Sequence, residues 1–279
     1  MIQLGKYNSL KVVKFVDFGL YLDGGESGEI LLPAKYISQM PQIGDEMEVF
    51  IYNDSEDRLI ATTETPYATV GQFAFLRVSE VNNIGAFLQW GLAKELLVPF
   101  REQKARMRQG GTYLVYIYVD DASKRIVASA KIEKFIGNTI PEYVPGAKVR
   151  ALVYGQSELG FRCIVDNLHS GLIYSNEVFR TVSPGEEIDA YVKRIREDGK
   201  IDLTISPVVT VRVERLAANI LNRIRANAGR LNISDHSPAE QIQDMFKCSK
   251  KDFKKAIGLL YKQRAITIAP DHIALADNE

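Results

Sequence analysis

The chain has 279 residues, 46% of them hydrophobic, and its 35 basic side chains balance 35 acidic ones. No segment approaches the roughly 18 to 20 unbroken apolar residues that cross a bilayer, and the N-terminus lacks a signal-peptide core, so a membrane protein is not expected. The two cysteines, Cys163 and Cys248, lie far apart and near no paired histidines. This argues against a structural disulfide or zinc site and favours a reducing, cytoplasmic location.

The zero net charge hides an uneven distribution along the chain. Residues 1–65 carry 5 basic and 11 acidic side chains, a net of −6, whereas residues 212–275 carry 12 and 6, a net of +6. Between them, residues 70–133 have a net of +3 (9 and 6) and residues 144–206 a net of −1 (8 and 9). Each segment is therefore expected to interact differently with a polyanion.

An internal repeat fills the first two hundred residues. Residues 18–22, 84–88 and 159–163 read FGLYL, IGAFL and LGFRC, and their glycines are spaced by 66 and 75 residues. A second set of glycines has the same two spacings: Gly44, Gly110 and Gly185. Two markers in one register indicate three copies of a single structural unit.

Each copy continues in a pattern that is typical of strands. An apolar run follows the first glycine and an alternating stretch follows the second; a polar turn then leads to RLIAT, RIVAS or KIDLT at residues 58–62, 125–129 and 200–204. Alternation between Gly, Asp and Asn turns predicts strands. About five strands in roughly 65 residues predict a small closed barrel of the OB-fold type.

The pattern becomes helical near residue 211, with an apolar stripe that includes Leu216 and Ile220. Ser237 is predicted to cap a second helix, with Pro238 at its first position and Glu240 completing a capping box. Ser249 is predicted to cap a third helix. That helix should run from Lys250 to about Arg264 and turn four side chains inward: Phe253, Ile257, Leu260 and Tyr261. Residues 265–268 and 272–275 should form a hairpin.

This order of elements is that of a winged helix-turn-helix. The fold class is therefore predicted to be mainly β with a C-terminal α+β module. The predicted domains are three OB-fold barrels followed by a winged helix: residues 1–66, 67–138, 139–208 and 209–279.

The repeats resemble S1 RNA-binding domains, which share an aromatic-Gly-small-aromatic motif, a Gly-Leu-Val-His motif and a closing Arg-Ile-x-Leu-Ser strand. Three S1-like units followed by a winged helix resemble the conserved virulence factor B family of bacterial RNA-binding regulators. The resemblance covers nearly the whole chain. It implies an array of barrels that binds RNA, prefers single strands and influences gene expression after transcription.

The chain departs from the S1 pattern at the positions on which bases usually stack, which are two aromatics in the first motif and a histidine in the second. In chain order these positions hold Phe18, Tyr21 and Pro33; Ile84, Phe87 and Pro99; and Leu159, Arg162 and Tyr174. No copy keeps the complete set, so each barrel alone is expected to bind weakly.

Five candidate contact residues are therefore rings or a guanidinium that can stack on bases: Phe18, Tyr21, Phe87, Tyr174 and Arg162. Phe18 and Tyr21 are three residues apart, and Gly19 between them could mark a bulge that turns both outward. The alternatives are that one of the two fills the barrel, and that Arg162 pairs with Glu197 or Asp198 instead.

The remaining candidates are basic and could track phosphates. Lys14 and Arg77 are interpreted as equivalent strand positions. The others cluster after the second barrel's Val98-Pro99 turn, late in the third barrel and at helical spacing in the winged helix: Arg101, Lys104, Arg106, Arg108, Lys193, Arg194, Lys250, Lys251, Lys254 and Lys255. Ordinary solvated surface, or a site for a protein partner, is the alternative for these groups.

Nothing in the sequence predicts catalysis. The three histidines, His169, His236 and His272, lie in different modules without metal-ligand spacing, and neither a phosphate-binding loop nor a nucleophile elbow occurs. No catalytic residue, cofactor or metal is expected. The leading hypothesis is a monomeric regulator that binds single-stranded RNA through several weak sites acting together. The alternatives are a duplex-DNA regulator working through its winged helix and a protein-interaction scaffold.

Overall fold

A computed structural model describes residues 1–175, 178, 180–205 and 209–276, without the side chains of residues 209–212. The first barrel is closed, in the neighbour order β1-β2-β3-β5-β4, and only β3 and β5 pair in parallel. Its strands are β1 (Tyr7–Val16), β2 (Gly19–Asp23), β3 (Glu29–Pro33), β4 (Glu46–Asn53) and β5 (Leu59–Thr62).

The next two units repeat this topology. The second is a sheet in the order β10-β9-β6-β7-β8 whose end strands β8 and β10 lie side by side, and the third is again closed. The second contains β6 (Phe73–Val81), β7 (Gly85–Gln89), β8 (Leu96–Pro99), β9 (Thr112–Val119) and β10 (Ile126–Ser129). The third contains β11 (Lys148–Gln156), β12 (Gly160–Val165), β13 (His169–Tyr174), β14 (Glu187–Ile195) and β15 (Ile201–Thr204). The prediction of three five-stranded barrels is confirmed, with the second nearly closed.

The first repeated glycine is required by close packing of the second strand on the third. A Cβ at Gly19 would lie 2.2 Å from the carbonyl oxygen of Leu32, and the corresponding distances at Gly85 and Gly160 are 2.3 and 2.1 Å. Only a residue without a side chain fits there. This glycine therefore recurs in the sequence because the same backbone contact occurs in all three barrels.

Neighbouring barrels share apolar contacts. Phe50 of β4 belongs to the core cluster of the second barrel and packs edge-on against Trp90, with ring centroids 5.8 Å apart. At the next junction, Ile164 of the third barrel is buried with Phe73 and Ile132 of the second. These junctions fix adjacent barrels against each other because apolar surface buried between them is removed from water.

The C-terminal unit has the predicted order of helices and a hairpin, plus one short additional strand. Its elements are α1 (Val209–Ala226), β16 (Arg230–Leu231), α2 (Ala239–Phe246), α3 (Lys250–Lys262), β17 (Ile266–Ile268) and β18 (Ile273–Leu275). The strands form a sheet in the order β16-β18-β17. Among the helices described, none is both long and apolar enough to pass through a membrane. The domain limits stay predictions, and the one after residue 208 touches positions outside the described residues.

The predicted start of α2 is wrong. The helix begins at Ala239, and Pro238 occupies the N-cap position without a side-chain hydrogen bond to the helix. The Ser237 hydroxyl instead accepts a hydrogen bond from the Ser234 amide at 3.0 Å. The Ser237 side chain therefore stabilises the preceding turn rather than the helix. The capping pattern in the sequence gives no sign of this hydrogen bond.

The prediction for α3 is confirmed at its start. The Ser249 hydroxyl accepts a hydrogen bond from the Asp252 amide at 3.2 Å, which satisfies one of the unpaired N–H groups of the first turn. Three of the four residues predicted to face inward are buried: Phe253, Ile257 and Leu260. Tyr261 is an error of that prediction, because it is 59% exposed.

Candidate nucleic-acid interface

A bulge in β1 sets the outward surface of the first barrel. The pairing of β1 with β2 shifts between Val12 and Lys14, so that Lys14 lies opposite Tyr21. The bulge expected at Gly19 is therefore located in the other strand. Because side chains alternate along β2, Tyr21 points outward between the buried Leu20 and Leu22.

The other barrels have the same bulge at the same place. It brings Glu80 opposite Phe87 in the second barrel and Gly155 opposite Arg162 in the third. Tyr21, Phe87 and Arg162 therefore occupy one register position, and we call them the platform residues. Each also lies opposite a leucine on the third strand of its barrel: Leu31, Leu97 and Leu172.

The interpretation of Lys14 and Arg77 as equivalents is wrong. The register makes Glu80 the counterpart of Lys14, whereas Arg77 lies opposite Gln89, nearer the start of β6. The guanidinium of Arg77 lies beside the Gly110 turn, away from Phe87 along the strand. The second platform residue thus has a carboxylate beside it where the first has an ammonium group.

In the first barrel two of the predicted residues, Lys14 and Tyr21, lie close together. The Lys14 ammonium is 4.9 Å from the ring centroid of Tyr21 and also pairs with Glu29 at 2.5 Å. Phe18 is 57% exposed in the turn between β1 and β2. The corresponding turn residues, Ile84 and Leu159, are also exposed. Each barrel therefore presents an apolar side chain at this turn, and only the first presents an aromatic one.

The predicted basic loop of the second barrel is held by a buried carboxylate. Glu102 accepts hydrogen bonds from the Ser129 hydroxyl at 2.6 Å and from the Lys134 ammonium at 2.9 Å. Burial alone would raise the pKa of Glu102, but these hydrogen bonds outweigh it and lower that pKa from its ordinary value. Next to this anchor, Arg101 pairs with Asp120 at 3.0 Å.

Two other arginines of the loop are exposed. The Arg106 guanidinium lies over the ring of Phe100, 3.6 Å from its centroid. Arg108 is exposed, and within the described residues its side chain has no carboxylate at ion-pair distance. Arg106 and Arg108 are thus better placed than Arg101 to neutralise a phosphate.

The carboxylate of Glu133 is influenced by cations of both the second and the third barrel. Lys104 forms an ion pair with this carboxylate, and Arg162 lies near enough for its charge to act on it as well. Burial alone would raise the pKa of Glu133, but the hydrogen bond and charge of Lys104, with a smaller effect of Arg162, lower it. The alternative partners Glu197 and Asp198 form no ion pair with Arg162 among the described residues, and Asp198 pairs with Lys200 at 2.7 Å. Arg162 also lies 5.3 Å from the ring of Tyr154.

A network of charged groups covers the outer surface of the third barrel. Asp202 is only 1% exposed and accepts hydrogen bonds from Arg194 at 2.6 Å, Arg196 at 2.7 Å and the Tyr174 hydroxyl at 3.3 Å. Lys193 lies 5.7 Å from the Tyr174 ring. Tyr174, Lys193 and Arg194 are thus brought together, although the Tyr174 hydroxyl is already hydrogen-bonded.

The buried carboxylate of this network stays ionised. Burial alone would raise the pKa of Asp202, but hydrogen bonds from Arg196 and Arg194 outweigh it and lower that pKa from its ordinary value. The sequence pattern pointed to Arg196 beside Lys193 and Arg194, but not to Asp202. The available signal was an acid in the closing strand where the other copies have Ile60 and Val127.

The four lysines predicted as contacts at the start of α3 divide into two pairs. Lys250 donates to the Ser237 carbonyl oxygen at 2.8 Å, and Lys254 lies 3.5 Å from Asp235, so both are engaged with the preceding loop. Lys251 and Lys255 are exposed one turn apart. Of these four lysines, Lys251 and Lys255 are therefore the two that are not engaged with the preceding loop.

Comparison with known proteins agrees with this architecture. The S1 domain family model matches residues 4–64 and 70–131, and that of the CvfB-like winged helix domain matches residues 218–275. The conserved virulence factor B of Staphylococcus saprophyticus is 26% identical, with 98% of this chain and 94% of that protein covered. The Bacillus subtilis protein YitL, described as uncharacterized, is 28% identical, with 92% and 89% covered.

A crystal structure described as a multidomain protein with nucleic acid binding domains, from Streptococcus pneumoniae, is 25% identical and covers 98% of both chains, with a TM-score of 0.42. S1 domains and a winged helix are nucleic-acid-binding modules, and here they occur in one chain that is similar to the staphylococcal proteins over nearly its whole length. The chain therefore combines nucleic-acid-binding S1 domains with a CvfB-like winged helix and is similar over nearly its whole length to the conserved virulence factor B proteins.

Proposed function

We propose that this protein binds single-stranded RNA along the outer surfaces of its barrels and regulates gene expression after transcription. The observation that carries the proposal is the shared register position of the platform residues Tyr21, Phe87 and Arg162, each outward on the second strand of its barrel. A ring or a guanidinium at that position offers a flat face to a base.

The preference for unpaired strands follows from this chemistry. An aromatic side chain stacks only on a base whose face is accessible, and each such contact contributes about 1–3 kcal/mol with little dependence on sequence. A guanidinium plane can stack in the same way. Bases within a duplex are already stacked on their neighbours. A duplex would therefore gain little from these residues.

Several weak sites can together give useful affinity. The junctions at Trp90 and Ile164 pack adjacent barrels against each other, so the three platforms are held together in one chain and one strand can bind to more than one of them. Once one platform has bound the strand, binding to the next platform is intramolecular and therefore has a high effective concentration. The exposed basic groups of the second barrel's loop, Arg106 and Arg108, would neutralise phosphates and make affinity fall with rising salt.

The test is fluorescence anisotropy with the full chain, using a labelled single-stranded RNA that is long enough to span three barrels. Competition with the same RNA in duplex form and with duplex DNA measures the preference. Tyr21→Leu combined with Phe87→Leu should weaken binding of the single strand at least about tenfold, because two stacking contacts are lost. Tyr67→Leu, which changes an exposed tyrosine that is not a platform residue, is the matched control.

Equal affinity of the double variant and the Tyr67 control would reject the stacking assignment. Stronger competition by duplex DNA would favour the winged helix as the main binding module. A chain that binds none of these nucleic acids near physiological salt would instead be a scaffold for protein partners. The regulatory part is tested separately: transcripts crosslinked to the wild-type chain in cells should change in level or translation when the double variant replaces it.

A further inference from the structure

A pocket of about 180 Å³ lies where the first barrel meets the platform of the second. Its floor is apolar and includes the platform residue Phe87 with Leu97 and Val127, all from the second barrel. Its wall is the turn between β4 and β5 of the first barrel, from which Asn53, Ser55 and Asp57 line the pocket. The pocket is therefore built by two barrels together.

Polar contacts hold the wall in place. Asp57 forms ion pairs with Arg125 and, at 3.8 Å, with Lys94, both from the second barrel. The Lys94 ammonium also donates a hydrogen bond to the backbone carbonyl of Asp54 at 2.5 Å. Because these cations bind the turn, the pocket is preformed in the unbound chain, as small-molecule sites usually are.

We propose that this pocket binds one unpaired nucleobase that carries an exocyclic amino group, stacked on Phe87 and hydrogen-bonded to acceptors of the first barrel's turn. The inference rests on the proposed function and goes further, because it assigns base selectivity to one junction between barrels. The strand would continue on either side of the pocket along the outer surfaces.

The shape and apolar floor favour a single flat ring. A volume of about 180 Å³ is below the usual range for drug-sized ligands, about 300–1,000 Å³. Phe87 supplies an aromatic surface, with aliphatic side chains beside it at Leu97 and Val127. In the third barrel the position of Val127 is taken by Asp202, so that barrel offers a charged surface instead.

The rim favours a base that donates hydrogen bonds. Asp57 and Glu95 contribute carboxylates, and the buried side-chain oxygen of Asn53 has no hydrogen-bond partner among the described residues. The nearby cations, Lys94 and Arg125, are already engaged with the turn. Adenine, cytosine and guanine can donate from an exocyclic amino group, whereas uracil has none and its N3–H lies between two carbonyl oxygens that a carboxylate repels. Acceptors at the rim should therefore disfavour uracil.

The experiment uses the full chain and oligouridylate RNA carrying one central 2-aminopurine, whose fluorescence is quenched by stacking. Leu97→Phe fills the floor of the pocket. Leu172→Phe makes the same change at the equivalent position of the third barrel, which does not line this pocket. We expect quenching on binding to the wild type and to Leu172→Phe, and its loss with Leu97→Phe.

Selectivity provides a second measurement. Oligouridylate with one central adenine should bind the wild type about tenfold more tightly than plain oligouridylate, the size expected for one buried hydrogen bond to a charged group. Glu95→Gln should reduce this ratio, because a carboxylate acceptor at the rim is lost while the ion pairs of Asp57 that hold the wall stay in place. A general change in electrostatics would alter both affinities equally and leave the ratio unchanged.

The outcomes separate this inference from the proposed function. RNA binding without quenching or base preference, or equal behaviour of the two phenylalanine variants, would overturn the pocket while leaving RNA binding intact. Absence of RNA binding under all conditions would reject both.

Discussion

The Phe73 amide of the second barrel donates a hydrogen bond to the side-chain oxygen of Asn167 in the third barrel at 2.8 Å. The same side chain donates from its nitrogen to the Gly71 carbonyl oxygen at 2.6 Å. One asparagine thus pairs with the backbone of a neighbouring barrel as another strand would. Together with the buried contact at Ile164, it holds the second and third barrels against each other.

Removing this side chain should loosen the junction between the second and third barrels. Asn167 has a φ of 60°, so Asn167→Gly keeps the backbone conformation and removes only the hydrogen bonds. We expect a lower thermal midpoint, equivalent to about 1–3 kcal/mol for unsatisfied backbone groups, and weaker binding of RNA that spans both barrels. Thermal unfolding and anisotropy measure the two effects.

Asn167→Asp is the control for that experiment, because aspartate keeps the acceptor for Phe73 and loses only the donor to Gly71. Its effects should be intermediate. A glycine variant that matches the wild type in both stability and affinity would show that the hydrogen bonds do not fix the junction.

Two glycine substitutions should have opposite effects. Gly19→Ala places a Cβ 2.2 Å from the Leu32 carbonyl oxygen and must displace backbone, so it should destabilise the first barrel by more than about 1 kcal/mol. Gly258→Ala lies in α3 with no atom within 4 Å of the new Cβ, and should stabilise the helix by about 0.5–1 kcal/mol. Thermal unfolding compares them. The same sign for both would contradict the packing explanation of the repeat.

The barrels and the winged helix could be predicted because their signals are local or regularly spaced. The repeated glycines mark one backbone contact, and the Ser249 cap is satisfied within its own turn. The equivalence of Lys14 with Glu80 was also available, since the 66-residue spacing that relates Gly19 to Gly85 relates this pair too. It was missed because charge, rather than register, was compared.

Other parts of the site depend on contacts that no local pattern records. Asn167 and Phe73 are 94 residues apart and belong to different barrels, so the junction follows only from the packed structure. The pocket at Phe87 likewise needs a turn from the preceding barrel. The sequence identified the side chains that could bind nucleic acid. Which of them are exposed, and which are already paired with other groups of the protein, could be seen only in the folded chain.

The exposed pair of lysines on α3 should contribute to duplex binding if the winged helix enters a groove. Lys251→Ala with Lys255→Ala should weaken binding to duplex DNA and lower the slope of log affinity against log salt by about 2, as expected for two lost phosphate contacts. Single-stranded RNA bound by the barrels should be affected less. Anisotropy across a salt series measures both.

Lys250 and Lys254 of the same helix provide the control. Lys250→Ala with Lys254→Ala removes contacts to Ser237 and Asp235, so it should alter stability more than the salt slope. An equal change in slope for both pairs would mean that general charge, rather than an exposed surface, determines duplex binding.

Asp202→Asn should destabilise the third barrel in a pH-dependent way. The carboxylate is buried beneath Arg194 and Arg196, and loss of hydrogen bonds between charged groups costs about 1.5–3 kcal/mol. Because its pKa is lowered in the folded chain, the carboxylate stabilises the fold at pH values above the unfolded pKa of about 3.9. That contribution is lost as the pH falls below this value and through the folded pKa.

The difference in thermal midpoint between wild type and Asp202→Asn should therefore be constant from about pH 7 to pH 5 and become smaller below about pH 4. Asp198→Asn is the control, since that exposed carboxylate pairs with Lys200 at the surface, where ion pairs contribute little. A difference that stays constant through acid pH would show that the Asp202 charge is not what stabilises the network. Weaker RNA binding by the Asp202 variant at neutral pH would follow from the same cause, because Arg194 and Arg196 would lose the carboxylate that holds their guanidinium groups in place.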